Sequence, residues 1–172
     1  MICHHDMTAV AKCVKGSKFP MNPAPSTLDQ IFDFSRNRQE NPIRISRGSL
    51  QSFAVRLSNG THTETLIVTE RDGVLSFSMR WLSLNSLSQK LRSQILEYAL
   101  ASNREPYNVA FLAIDRGLTT LWACYRVVSS QDFRNNQTQY DYARTILSRY
   151  IGQPVKWQDI LRSGQFFKDD IF

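Results

Sequence analysis

Hydrophobic and polar residues alternate most clearly in the middle third of the chain. In Val74–Trp81, Leu75, Phe77, Met79 and Trp81 share one parity, while Ser76, Ser78 and Arg80 share the other. A period of two is the signature of a strand with one covered and one solvated face. Two further strands precede it, over Phe53–Leu57 and Glu64–Val68. Asn59-Gly60 and Arg71-Asp72-Gly73 separate the three with the left-handed positions that tight turns require. The period then lengthens. Leu87, Leu91, Ile95, Tyr98, Ala99 and Ser102 recur at steps of three and four, which predicts a helix over Leu87–Ser102 with Asn85 or Ser86 as its N-cap. Val109–Ile114 has no polar alternation and reads as a central strand covered on both faces. Asp115-Arg116-Gly117 turns it into a return strand ending at Val128. A last helix, Gln137–Ile151, turns Tyr140, Ala143, Ile146, Leu147, Tyr150 and Ile151 inward and stops at Gly152-Gln153-Pro154.

The flanks are less regular. Pro20, Pro23 and Pro25 make residues 1–26 an extended, flexible lead-in. Ser26 or Thr27 then caps a short helix running from Leu28 to about Gln39, closed by Asn41-Pro42. Ile43–Gly48 is either a short edge strand or a connector. Another short helix over residues 155–161 and an aromatic tail with Phe166, Phe167 and Phe172 complete the expectation. The predicted class is α+β: one domain over residues 27–163, with an antiparallel sheet of about five strands in β3-α-β2-α order and helices packed on one face.

Composition narrows the function classes. A chain of 172 residues, 42% of them hydrophobic, is long enough to bury a core without disulfide staples. No apolar run approaches the roughly 20 residues of a membrane span. The N-terminal residues lack the basic-then-apolar order of a secretory signal, so a cytoplasmic location is expected. Three cysteines at irregular spacing fit that location and no disulfide framework. Cys3, His4, His5 and Cys13 lack the paired spacing of a zinc site and read as tail residues. The chain calls for no metal or cofactor.

Candidate chemistry is sparse. There is no GxGxxG, Walker A or GxSxG sequence. His62 lies beside a turn, where a solvated histidine is commoner than a general base. Asp132, Asp141, Asp159, Asp169 and Asp170 make no acid pair. No catalytic residue is assigned, and the chain is expected not to be an enzyme. The net charge of +6 is spread over several elements. Arg134, Arg144 and Arg149, on or near the last helix, are the candidate phosphate contacts if the partner is nucleic acid.

The return strand carries the remaining signal. Ala123, Tyr125 and Val127 compete with Trp122, Cys124 and Val128 for its buried side. A strand apolar on both faces, in a sheet with helices on one side only, needs a second cover, and a homodimer partner or an extended client segment would serve. The partner-binding set is therefore Trp122, Cys124 and Arg126, followed by Phe77 and Met79. Trp81 is expected in the core.

This order of elements, with Asp72-Gly73 and Asp115-Arg116-Gly117 at its turns and Asn108-Val109-Ala110-Phe111 at the helix-to-strand entry, resembles the type III secretion chaperone-like and YbjN-like superfamily over residues 28–163. The resemblance implies a twisted antiparallel sheet with helices on one side. It also implies a chaperone that holds a secreted effector partly unfolded before export. Such chaperones tend to be small and acidic, and this chain is basic with a proline-rich lead-in.

Overall fold

The computed structural model describes residues 25–47, 50–104 and 109–153. The proline-rich lead-in, Cys3, His4, His5, Cys13, the expected helix over 155–161, Trp157, Asp159, Asp169, Asp170 and the aromatic tail lie outside them. The elements run α1 (Thr27–Asn37), β1 (Ile43–Arg47), β2 (Leu50–Ser58), β3 (Thr63–Arg71), β4 (Val74–Ser83), α2 (Gln89–Ser102), β5 (Phe111–Ile114), β6 (Thr120–Val128) and α3 (Phe133–Ser148). The class is α+β. The strands form one antiparallel sheet in the order β1-β2-β3-β4-β6-β5.

The alternation read from the sequence sorts the two faces. Phe53, Val55, Leu66, Val68, Leu75, Phe77, Met79, Leu121 and Ala123 point to one side and are almost wholly buried. A register shift between Arg80 and Leu82 interrupts the alternation, so Trp81 and Leu82 both turn inward. An extra residue in one strand lets two consecutive side chains share a face in this way. Helices α1 and α3 lie on this side. Phe32 meets Phe53 edge-on, and Tyr140 packs against Phe34, Phe53 and Phe77. Helix α2 adds Ile95 and Ala99 to the same core near β5.

Each helix start is set by a side-chain cap. Ser26 accepts from the Asp29 amide, Ser88 from Leu91 and Asp132 from Arg134. The Glu70 carboxylate accepts from the Leu28 amide at 3.0 Å, tying the first turn of α1 to β3.

Several sequence expectations are corrected. Of the two readings for Ile43–Gly48 the edge strand holds, as Ile43–Arg47, which makes six strands among the described residues where about five were expected. Helix α2 starts at Gln89, capped by Ser88, because Leu84–Leu87 forms a turn of its own and the Arg92 guanidinium donates to the Leu84 carbonyl. Helix α3 begins at Phe133, capped by Asp132, rather than at Gln137. Asn136, poor in helix propensity, is fixed there by a side chain that donates to the Ser130 carbonyl and accepts from its amide. The largest correction concerns Val109–Ile114. Its strand, β5, is the sheet's outer edge and not a central strand. The Asn103 side chain donates to the Leu112 carbonyl at 2.8 Å and accepts from its amide at 2.7 Å, standing in for a further strand.

Candidate functional site

The opposite face of the sheet is not covered by α1, α2 or α3, whose apolar partners all belong to the buried parity. Pairing across all six strands places one side chain from each in a single transverse row. Ile43 pairs with Ala54, Ala54 with Ile67, Ile67 with Ser78, Ser78 with Cys124, and Cys124 with Phe111. At about 4.8 Å between strands, five spacings make a line about 24 Å long. Small residues, Ala54 and Ser78, sit within it, and larger apolar ones stand at its ends. The row is therefore a shallow furrow with an apolar floor.

The neighbouring rows lie about 7 Å to either side, two residues along each strand. One holds Arg56 paired with Thr65, then Arg80 paired with Trp122, which pairs with Ala113. The other holds Ile45, Ser52, Thr69, Ser76 and Arg126. Arg56, Arg80 and Arg126 are exposed, whereas Trp122 is half-buried. The guanidinium of Arg126 lies over the Phe111 ring, 5.3 Å from its centroid. Such a contact holds the arginine stem down and leaves its charge at the furrow's rim. Only two carboxylates occur in the six strands, Glu64 and Glu70, and both pair with inward-facing leucines, Leu57 and Leu75. Among the described residues, the strand positions of the open face carry arginine and no acid.

Cys124 occupies the furrow floor at 7% exposure. Burial pushes its thiol up to about 11, against a smaller lowering by the nearby Arg126 charge. It is a small hydrophobe there and a poor nucleophile at neutral pH.

The sequence-derived sets fare differently. Trp122, Cys124 and Arg126 share the open face, because the competition along β6 is won by Ala123, Tyr125 and Val127. Phe77 and Met79 do not join them. They are 0% and 1% exposed beneath the helices, since their parity is that of the core. Trp81 is buried as expected. Arg144 is bound up in a polar cluster between α1 and α3. Its guanidinium donates to Glu40 at 2.9 Å and to the Tyr140 hydroxyl at 3.2 Å. Tyr140 in turn donates to Glu40 at 2.6 Å, Ser35 donates to Glu40 at 2.8 Å, and Arg38 pairs with Asp141. Arg134 and Arg149 stand exposed near opposite ends of α3, about 22 Å apart along its axis, and form no patch with Arg144.

His62 lies against Gly152 after α3, and the Asn59 side chain donates to the Ile151 carbonyl. This pins the β2–β3 turn to the end of α3. No group of three metal-ligating side chains occurs among the described residues, and no helix among them is long and apolar enough to cross a membrane.

The transverse row was missed from sequence, because it exists only once five strand registers are known. The single sequence signal for it is the Trp122, Cys124 and Arg126 parity of β6. Comparison with protein-family models and with curated proteins finds no match to this chain.

Proposed function

We propose that this chain is a non-enzymatic binding module that holds an extended segment of a client protein across the open face of its sheet. The observation that carries the reading is the furrow Ile43–Ala54–Ile67–Ser78–Cys124–Phe111, flanked by Trp122 and uncovered by the chain's own described helices. An extended segment rises about 3.3 Å per residue, so about seven residues span it. Apolar side chains of the segment would bury on the floor, with Trp122 as the anchor. In keeping with the secretion-chaperone resemblance, the client would be a protein kept partly unfolded in the cytoplasm before export.

The homodimer that the two-sided apolar pattern of β6 also allows would, on this reading, use another surface. In a two-fold interface the same patch is used twice, which here would bring together two rims that each carry Arg56, Arg80 and Arg126 and no strand acid. Light scattering on the wild-type chain and on Trp122→Arg separates the cases. An unchanged mass for the variant is expected; a dimer broken by it would place the interface on the open face.

The central experiment is a photo-crosslinking residue at position 122 of the full chain, with irradiation in native lysate. The expected result is one dominant conjugated polypeptide, absent when the crosslinker stands at Val128, which is also exposed but lies off the furrow. Conjugation at both positions alike, or to a second copy of the chain alone, would overturn the reading.

A further inference from the structure

The geometry points to a particular chemistry for the segment: we infer that it is acidic, an extended peptide in which Asp or Glu alternates with aliphatic or aromatic residues. This rests on the open-face reading above and specifies its occupant.

Three observations combine. First, the furrow has an apolar floor and a guanidinium rim, with Arg56 and Arg80 on one side and Arg126 on the other. In an extended peptide successive side chains point in opposite directions. Alternate residues therefore reach the floor, while those between are turned up and aside toward the rim. Second, the rim has one sign. Neither Arg56 nor Arg80 makes an ion pair among the described residues, so both are available to a new partner. The planar fork of a guanidinium matches a carboxylate through two parallel hydrogen bonds. Third, the ring faces are few. A single-strand nucleic-acid platform stacks successive bases on successive rings. Here Phe111 is already covered by Arg126, and among the described residues of the open face Trp122 alone remains. Ile43, Ala54 and Ile67 offer aliphatic contact, which suits side chains of a peptide better than the faces of bases.

The test uses the full chain and four fluorescein-labelled probes. They are a decapeptide alternating Asp with Ile and Phe, the same peptide with Asn for Asp, the same with Lys for Asp, and a ten-nucleotide oligouridine. Anisotropy titrations at 50 and 200 mM salt are read for the wild type, for the double variant Arg56→Glu with Arg80→Glu, and for Trp122→Ala. Circular dichroism confirms that each variant is folded. The inference expects the Asp peptide to bind the wild type at least tenfold tighter than the Asn peptide. It also expects the double variant to lose at least tenfold for the Asp peptide and to gain at least as much for the Lys peptide. A reciprocal swap of that kind does not arise from general destabilisation. Equal binding of the Asp and Asn peptides overturns the acidic class. So does oligouridine binding tighter than the Asp peptide, which would favour nucleic acid. If the acidic class fails while conjugation at position 122 still selects one polypeptide, the client reading stands without it. If neither probe binding nor that conjugation occurs, both fall.

Discussion

The two faces of this sheet are built from the same strands and the same alternation, yet the described helices seal only one of them. On one, Phe53, Phe77, Met79 and Leu66 are sealed beneath α1 and α3, with Tyr140 in contact with both phenylalanines. On the other, residues one position along, such as Ala54, Ser78 and Arg80, are small, hydroxylated or charged, and no described helix lies over them. On the proposed reading, stability and recognition are separated by parity. A substitution one position along a strand should change which of the two is affected.

The largest expected effect is therefore on the covered face. Phe77→Ala leaves a cavity between Tyr125 and Tyr140 and should destabilise by about 3–5 kcal/mol. Ser78→Ala, its immediate neighbour on the open face, should stay within about 0.5 kcal/mol. Urea midpoints for the pair measure the contrast, and comparable losses would abolish the division.

Next is the cluster between α1 and α3, which fixes how the helices sit on the covered face. Removing the acid with Glu40→Ala strips the acceptor from Ser35, Tyr140 and Arg144 together, and about 2–3 kcal/mol should be lost. The same cluster predicts a pH effect. Burial, and then the hydrogen bond to Glu40, push the Tyr140 phenol up to about 12. Its unfolded value is about 10, so the unfolded chain gives up this proton first. The contribution is complete below pH 10 and is lost as pH rises through 12. Stability curves at pH 9 to 12 should fall in the wild type, and that fall should be shallower in Tyr140→Phe. Parallel curves would mean that other groups set the alkaline limit.

How far this arrangement could be read from residues alone follows the same parity. Leu75, Phe77, Met79 and Trp81 announce their strand and its buried side, because a half-covered strand must alternate. The helix with Ile95 and Ala99 announces itself through its longer period. By contrast, Phe111-Leu112-Ala113-Ile114 looks central and is an edge. Leu112 and Ile114 face the helical side, while Phe111 ends the open-face furrow under Arg126. Both sides are apolar for separate reasons, and the edge is shielded by Asn103, nine residues away, through bonds that no periodicity encodes. The furrow was illegible for a related cause: no two of its members are neighbours in sequence. Arg144 misled in the other direction, since a helix arginine in isolation does not disclose that Glu40 awaits it.

A smaller effect is expected where the sheet's turn meets the end of α3. Gly152 has a φ of +80°, and a Cβ there would lie 2.8 Å from the His62 ring. Gly152→Ala should cost about 1–2 kcal/mol, part backbone strain and part contact. Only the second part should be recovered in the double variant with His62→Ala. Full recovery would mean that the left-handed backbone costs nothing there.

The smallest thermodynamic effect, and the finest probe of the open face, is the reactivity of Cys124. With its thiol pushed up to about 11 by burial, only about one in a thousand molecules carries the thiolate at pH 8. Alkylation by iodoacetamide, followed at this residue by peptide mass mapping, should therefore run about a hundredfold slower than at an unperturbed thiol of pKa near 9. Its neighbours decide how much of this is local. Trp122 shares the open face one position along the same parity, and removing that ring in Trp122→Ala should admit water and raise the rate severalfold while leaving the urea midpoint within about 1 kcal/mol. Alanine at Met79, on the covered face, should instead cost about 2–5 kcal/mol, with any gain in alkylation tracking that loss of stability. A bound client segment should slow the Trp122-dependent reaction, because it would lie directly over the sulfur. Cys124 alkylation that responds to Met79→Ala at constant stability, and not to Trp122→Ala, would show the thiol to be sheltered from the helical side and the open face to have been misassigned.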